Sequence, residues 1–302
     1  MKTLRDIGED ALIDRLTALV PRDQNPAAGP GDDCAVVDRD PQSPTLQLLK
    51  TDALVESVHF LPSTPARAVG WKAVARVISD FAAMGGHPEY FLVTLALAPE
   101  TAVAWAEDLY RGIGDCLKVC GGLLAGGETS SVPAGSAAVI SIAATGTVRR
   151  EQLVLRSTGK PGDTLMVTGR LGGSLDGKHL DFTPRLEQVR WLVANYKPTA
   201  MMDLSDGLAK DLPRMAKASN CGFIIDEAAL PLNPGSTPAQ ALRDGEDFEM
   251  LFAIDAARVP GLLAAWPASF PELALTRIGE LVCADEGMSL AGGWDHFAVE
   301  RQ

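Results

Sequence analysis

Acidic residues beside Gly or Ser are the side chains of this sequence best able to do chemistry. They are Asp32 and Asp33 in GDD, Asp52 in KTD, Asp80 in SDF, Glu128 in GGET, Asp203 and Asp206 in MDLSDG, and Glu246 and Asp247 in GEDFE. Many directly follow an apolar run, so we expect them at strand ends, where a shared sheet brings carboxylates together. Hard cations such as Mg²⁺ prefer such oxygen ligands and share them with phosphate oxygens. Each motif alone is an ordinary turn, but the set predicts a magnesium and phosphate site.

Other familiar site signatures are missing. Gly172–Lys178 fits GxxxxGK, but His179 follows where Ser or Thr is needed, so we interpret this segment as a turn. GxGxxG, the kinase motifs HRD and DFG, and GxSxG do not occur. The four histidines are scattered, which argues against zinc, and Cys116 and Cys120 are interpreted as buried apolar residues. A nucleotide enzyme of this composition would hold phosphates through metal ions and Gly-rich turns.

Composition limits the class of protein and its partners. The 302 residues include 39 acidic and 27 basic side chains, a formal net charge of −12, and 46% are hydrophobic. This balance predicts a packed protein of about two domains that binds neither nucleic acid nor an anionic membrane. The N-terminal segment lacks the apolar core of a signal peptide, and we interpret the uncharged stretch Thr129–Val148 as a loop and a strand. With five cysteines and no CxxC, we expect a cytoplasmic protein.

Helical and strand patterns alternate through both halves, which predicts an α/β or α+β fold. Helices are expected over 8–20, from Thr64 as N-cap, from Pro99, over 185–193 and after MDLSDG. Strands are expected over 46–49, 90–98, 137–148, 164–168, 200–203, 223–226, 248–254 and 277–282. The charged, turn-rich segment RREQLVLRSTGKPGD is the candidate domain boundary, which gives domains of 1–148 and 149–302.

Eight motifs then occur in a fixed order from about Gly29 to the C-terminus. They are GPGDDCAV, KTDALVESVHF, KAVARVISDFAAMGGHP, LAGGETS, RSTGKPGD, MDLSDGLAKDL, GEDFEMLF and GWDHF. Together they resemble the thiamine-monophosphate kinase family of the aminoimidazole-ribonucleotide-synthetase-like superfamily. The resemblance implies a mixed-sheet N-terminal domain that binds ATP and Mg²⁺, a C-terminal α/β domain that completes an active-site cleft, and a homodimer formed through the N-terminal domains. It also implies direct in-line phosphorylation of thiamine monophosphate to thiamine diphosphate by ATP, assisted by several Mg²⁺ ions.

The resemblance further implies roles for individual residues. Asp52, Asp80 and Asp203 become the central catalytic residues. The implied metal ligands are Asp33, Thr51, Asp52, Asp80, Glu128, Asp203 and Asp206. The implied ATP contacts are Tyr110, Gly127, Glu128, Arg156 and Ser205, and the implied substrate contacts are His59, Glu246 and Trp294. These roles suit the chemistry, since an arginine fork binds phosphate and an indole stacks on a cationic ring.

Two positions depart from the family pattern. Glu128 stands where the family usually has Asp, and Lys50 stands where it has a small hydroxyl residue. A lysine ammonium cannot ligate Mg²⁺, so either its carbonyl or a contact with phosphate would have to serve there. Asp32, adjacent to Asp33, is expected to orient its turn rather than to share the metal. Two alternatives stay open: another ATP-dependent enzyme of the same superfamily, and a non-catalytic nucleotide or metal sensor.

Overall fold

The computed structural model describes residues 2–21 and 30–297. The chain divides into two compact units. The N-terminal unit comprises Asp33–Val154 and Asp176–Pro198, and the C-terminal unit comprises Met1–Asp32, Leu155–Leu175 and Thr199–Gln302. Both units are therefore discontinuous in sequence. The expected domain boundary between residues 148 and 149 stays a prediction.

The described elements mix helices and strands in both units. The helices are α1 Gly8–Thr17, α2 Ala66–Ala83, α3 Val103–Cys120, α4 Lys178–Asp181, α5 Leu186–Tyr196, α6 Leu208–Ala218, α7 Pro238–Arg243 and α8 Val259–Ser269. The strands are β1 Ala35–Val37, β2 Thr45–Val55, β3 His87–Leu97, β4 Leu123–Ser131, β5 Val139–Arg149, β6 Thr164–Thr168, β7 Ala200–Asp203, β8 Cys221–Ile225, β9 Met250–Ile254 and β10 Leu275–Cys283. Within the described ranges, no helix is long and apolar enough to cross a membrane.

The N-terminal unit is built on a mixed sheet in the order β1-β2-β5-β3-β4. All neighbours are antiparallel except β3 and β4, which run parallel. Strand β2 pairs with β5 along its whole length, from Thr45 opposite Arg149 to Val55 opposite Val139. Because side chains alternate between the faces of a strand, Lys50 and Asp52 share one face and Thr51 lies on the other.

Helices α2 and α3 pack closely in the N-terminal unit because glycines lie at their contact. A Cβ atom on Gly70 would lie 2.0 Å from the Leu109 carbonyl oxygen, and one on Gly112 would lie 1.9 Å from the Arg67 carbonyl oxygen. Nearly every residue of α2 is buried, including Asp80 in its last turn. The close packing therefore fixes the position from which Asp80 projects.

The C-terminal unit has an antiparallel sheet in the order β7-β9-β6-β10-β8. Its core combines apolar side chains of this sheet with those of α6, and includes Leu165, Val167, Met202, Leu208, Leu212, Leu251, Ile278 and Leu281. Strands β6 and β7 have the predicted bounds. Strand β7 ends at Asp203, and α6 begins five residues later, so the loop between them carries Ser205 and Asp206.

Two predicted helix starts are wrong. Helix α2 begins at Ala66 with Pro65 as its N-cap, one residue after the expected N-cap Thr64. The Thr64 hydroxyl instead accepts a hydrogen bond from the Leu61 N–H at 3.0 Å and closes the preceding turn. Helix α3 begins at Val103 rather than at Pro99, because Pro99 and Glu100 form a turn after β3.

Candidate active site

Two buried carboxylates meet in the N-terminal unit. Asp33 lies in the turn before β1 and is 2% exposed, and Asp80 lies in the last turn of α2 and is 6% exposed. A carboxylate oxygen of Asp33 and one of Asp80 lie within 4.8 Å of each other. The pair offers hard oxygen ligands of the kind that Mg²⁺ prefers.

The expectation that acidic residues lie at strand ends is correct for Asp203 and wrong for Asp52 and Glu128, whereas Asp80 lies in the helix predicted after Thr64. Asp52 lies inside β2, Asp80 lies in a helix, and Glu128 lies inside β4. Strand β2 continues past Asp52 because β5 pairs with its full length, and β4 continues past Glu128 because β3 pairs with it to Ser131. The carboxylates are thus presented by strand faces and a helix end as well as by turns.

Basic side chains already neutralise part of this acidic region. The Lys50 Nζ donates to the Asp80 Oδ1 at 2.7 Å, and the Arg76 Nη2 lies 3.1 Å from the Asp52 Oδ2. Burial opposes the charge on Lys50, but the Asp80 and Asp52 carboxylates outweigh it and raise the pKa of Lys50. The carboxylate oxygens of this region are hard ligands, which fit Mg²⁺. The Lys50 ammonium group already binds one of them, the Oδ1 of Asp80.

His59 is held by hydrogen bonds on both its ring and its backbone. Its Nδ1 accepts the Val55 N–H at 3.0 Å, which fixes the orientation of the ring. Its carbonyl oxygen accepts from the Lys72 Nζ at 2.6 Å, and the same Nζ lies 2.6 Å from the His179 Nδ1. Lys72 is fully buried. No sequence pattern singles out this lysine, because a lysine within an amphipathic helix pattern is expected at the surface.

The remaining expected site residues of the N-terminal unit are dispersed. Tyr110 lies on α3 and is 37% exposed, and Gly127 and Glu128 lie on β4. A Cβ atom on Gly127 would lie 2.0 Å from the Val93 carbonyl oxygen, so β3 itself requires glycine there. The Thr51 side chain lies on the face of β2 opposite Asp52. The expected roles of these four residues stay predictions.

In the C-terminal unit, the buried Asp211 holds the loop that follows β7. That strand ends at Asp203, which is 2% exposed. The Asp211 Oδ2 accepts from the Ser205 N–H at 3.1 Å and the Asp206 N–H at 2.9 Å. Complete burial and the charge of Asp206 raise the pKa of Asp211 to about 8, although these hydrogen bonds favour its charged form. Asp211 is not among the expected site residues. Its position in the first turn of α6 is the signal that could have identified it, because acidic residues there typically bind free backbone N–H groups.

The same loop brings the GEDFE and GWDHF motifs together. The Glu246 N–H donates to the Ser205 carbonyl oxygen at 2.7 Å, and the Trp294 N–H donates to the Asp206 carbonyl oxygen at 2.8 Å. Glu246 and Phe248 both have left-handed backbones, with φ of 54° and 49°. Such strain in non-glycine residues is concentrated at functional sites. Trp294 is 38% exposed, so core packing does not explain this indole.

Asp206 is engaged by two cations within the unit. Its Oδ2 accepts from the Arg214 Nη1 and lies 3.6 Å from the Lys210 Nζ. These cations also bind α1, since the Lys210 Nζ donates to Glu9 at 2.8 Å and the Arg214 Nη2 donates to Asp10 at 2.7 Å. A metal ion bound by Asp206 would therefore have to share the carboxylate with these cations. Its role as a metal ligand stays a prediction.

Asp32 orients Arg156, as expected for a residue that fixes a turn. The Asp32 Oδ2 accepts from the Arg156 N–H at 3.0 Å, and its Oδ1 lies 3.8 Å from the Arg156 Nε. The Ser219 hydroxyl donates to the Arg156 carbonyl oxygen at 2.7 Å. Both backbone polar groups of Arg156 are thus bonded, so its guanidinium projects from a fixed turn.

The near-match to a phosphate loop at Gly172 is a turn, as predicted. The Gly172 N–H donates to Asp247 at 3.0 Å, and the Gly173 N–H donates to Asp244 at 2.9 Å. A phosphate loop offers its N–H groups to the ligand. Here carboxylates of the chain occupy them.

Comparison with known proteins agrees with this fold and arrangement of motifs. Residues 31–148 match the family described as AIR synthase related protein, N-terminal domain, and residues 160–287 match the corresponding C-terminal domain. A thiamine-monophosphate kinase of Rhodopirellula baltica is 36% identical over 272 residues, covering 85% of this chain and 84% of the relative. One of Synechococcus elongatus is 32% identical over an alignment of 337 positions, covering 99% of each chain.

A solved structure gives the same result at the level of the fold. The structure described as AaThiL complexed with AMPPCP and TMP matches with a TM-score of 0.84 and 29% identity, covering 98% of this chain and 99% of that chain. The expected two-domain α/β architecture is confirmed by these matches. The chain is an enzyme that belongs to the thiamine-monophosphate kinase family, within the AIR synthase related proteins.

Proposed function

We propose that this enzyme transfers the γ-phosphoryl group of ATP directly to the phosphate of thiamine monophosphate and forms thiamine diphosphate. The observation that carries the proposal is the 36% identity to a thiamine-monophosphate kinase over more than four fifths of both chains. The match to a solved relative described with AMPPCP and TMP bound supports the same pair of substrates. The acceptor is a phosphate oxygen, which is largely ionised near neutral pH. The chain therefore needs to position and neutralise charge rather than to supply a strong base.

We assign the metal-binding role first to Asp33 and Asp80, whose buried oxygens lie within 4.8 Å of each other. We assign Asp52, Asp203, Thr51, Glu128 and Asp206 to the same role on their motifs. Several bound Mg²⁺ ions would supply positive charge between the phosphates of the donor and the acceptor. Asp33 and Asp80 are both held in place by their burial.

We assign the remaining contacts by ligand. Arg156 and Ser205 lie in turns that Asp32 and Asp211 hold, which suits the binding of ATP phosphates. Gly127, Glu128 and Tyr110 complete the proposed ATP contacts. Glu246 and the half-exposed Trp294 are proposed to bind the thiamine rings, because a carboxylate and an indole both stabilise a thiazolium cation. On its motif, His59 is proposed as a further contact for thiamine monophosphate.

We also propose a cytoplasmic homodimer formed through the N-terminal unit. All nine residues of β4 are exposed, and this strand lies at the edge of its sheet. The exposed apolar side chains nearby include Tyr90, Leu92, Leu123 and Leu124. A long, exposed edge strand that begins with apolar side chains invites pairing with another chain. Sedimentation equilibrium of the wild type and of Leu124→Glu tests the proposed dimer. We expect a dimeric wild type and a weaker dimer for the variant, and a monomeric wild type would contradict the proposal.

The activity is tested by ADP release from Mg-ATP with one acceptor at a time. We expect ADP only with thiamine monophosphate, and none with thiamine, which lacks the acceptor phosphate. ADP release with an aminoimidazole precursor instead would assign a different reaction of the superfamily. ATP binding without turnover on any acceptor would assign a nucleotide sensor.

A further inference from the structure

The Lys50 ammonium occupies the carboxylate on which the proposed magnesium site depends. Its Nζ lies 2.7 Å from the Asp80 Oδ1, and the two side chains are only 22% and 9% exposed. The Asp80 oxygens also lie near those of Asp33. The Asp80 carboxylate of this pair is therefore already bound to the Lys50 ammonium group.

The fold fixes this ion pair in place. Lys50 and Asp52 lie two residues apart on one face of β2, and Asp80 and Arg76 lie four residues apart on α2. The strand lysine pairs with the helix aspartate, and the strand aspartate pairs with the helix arginine. The two ion pairs have opposite polarity and run side by side. Lys50 is thereby kept on Asp80 rather than left free to swing into solvent.

We propose that Lys50 competes with a divalent cation for Asp80 and so sets the cation concentration at which the acidic site fills. The inference rests on the proposed function, because it concerns the same magnesium site. A divalent cation must displace the ammonium from Oδ1 before it can take that oxygen as a ligand. Breaking a charge-assisted hydrogen bond in a mostly buried position opposes metal binding.

The test measures the binding of Mn²⁺ alone, without nucleotide or acceptor. Free Mn²⁺ is followed by electron paramagnetic resonance during titration of metal-free protein. The variants are Lys50→Met, which removes the charge; Lys50→Gln, which keeps a hydrogen-bond donor without it; and Lys50→Arg, which keeps the charge. Lys118→Met is the matched control, because Lys118 is exposed on α3 and pairs with Asp115 at 3.6 Å. Thermal unfolding confirms that each variant is folded.

We expect Lys50→Met and Lys50→Gln to lower the apparent Kd for Mn²⁺ by about tenfold or more. Lys50→Arg and Lys118→Met should stay within about twofold of the wild type. Equal or weaker Mn²⁺ binding by both neutral variants overturns the inference and leaves the proposed kinase reaction standing. Failure of the wild type and of every variant to bind Mn²⁺ overturns both the inference and the proposed magnesium site. If Lys50→Met fails to fold, the comparison of Lys50→Gln with Lys50→Arg decides.

Discussion

The Lys72 ammonium lies 2.6 Å from the His59 carbonyl oxygen, within the fully buried interior of the N-terminal unit. It also lies 2.6 Å from the His179 Nδ1, so one nitrogen connects α2, α4 and the loop that carries His59. His59 is one of the proposed contacts for thiamine monophosphate. Lys72 therefore holds the loop that carries His59.

Lys72→Met should raise the KM for thiamine monophosphate by about tenfold while changing the KM for ATP little. The substitution leaves the His59 carbonyl and the His179 ring without their buried donor, at a cost of about 1–3 kcal/mol per group. Steady-state kinetics with each substrate varied in turn measures the split. Trp71→Phe is the control, because the neighbouring Trp71 donates to the Phe182 carbonyl, whereas Lys72 donates to the His59 carbonyl. Equal effects of the two variants on both KM values would reduce Lys72 to a structural role.

Asp80→Asn should lower kcat by about 100-fold or more while leaving the fold intact. It replaces a carboxylate that we propose as a metal ligand with an amide of the same shape, and removal of one such charge-stabilising group commonly costs this much. The measurement is kcat at saturating Mg-ATP, with circular dichroism as the check on folding. Asp115→Asn is the control, because Asp115 forms a surface ion pair with Arg67. Turnover by Asp80→Asn within threefold of the wild type would contradict the metal assignment.

Asp211→Ala and Asp211→Asn should differ sharply. Alanine removes the acceptor for the Ser205 and Asp206 N–H groups, so we expect lower stability by about 1–3 kcal/mol and a raised KM for ATP. Asparagine keeps an acceptor oxygen, and the raised pKa of Asp211 indicates that the site tolerates a neutral group. Chemical denaturation and ATP kinetics measure both effects. An alanine variant as active and stable as the asparagine variant would show that Asp211 does not hold the loop.

Trp294→Ala should weaken thiamine monophosphate binding by about tenfold, with a smaller effect for Trp294→Phe. The indole is half-exposed and its backbone is fixed to Asp206, which suits stacking on an aromatic cation. Competition by thiamine monophosphate, measured at fixed ATP, gives the change. If the two variants lose the same affinity, ring stacking is not the interaction that Trp294 supplies.

The sequence predicted elements best where a buried apolar run lies between turn residues. Strands β6 and β7 have their predicted bounds, because each run is buried throughout and ends at polar or turn-forming residues. Strand β4 was not predicted as a strand. Its sequence contains two adjacent glycines and all its residues are exposed, so neither propensity nor alternation marks it.

The motifs gave the candidate site residues but not the side chains that support them. Lys72 and Arg76 contact site residues that are distant in sequence. Asp211 contacts the backbone N–H groups of two site residues. Ion pairs such as Lys50 with Asp80, 30 residues apart, depend on how a strand and a helix pack. No local pattern records such packing, and side-chain propensity places lysines and aspartates at the surface.

The phosphoryl transfer itself is the central claim, and a labelled donor tests it most directly. The enzyme is incubated with thiamine monophosphate and ATP that carries ¹⁸O in its γ-phosphoryl group, and the products are identified by mass spectrometry. We predict thiamine diphosphate that carries the label in its terminal phosphoryl group, together with unlabelled ADP. Labelled inorganic phosphate with unchanged thiamine monophosphate would contradict the account, because the γ-phosphoryl group would then pass to water.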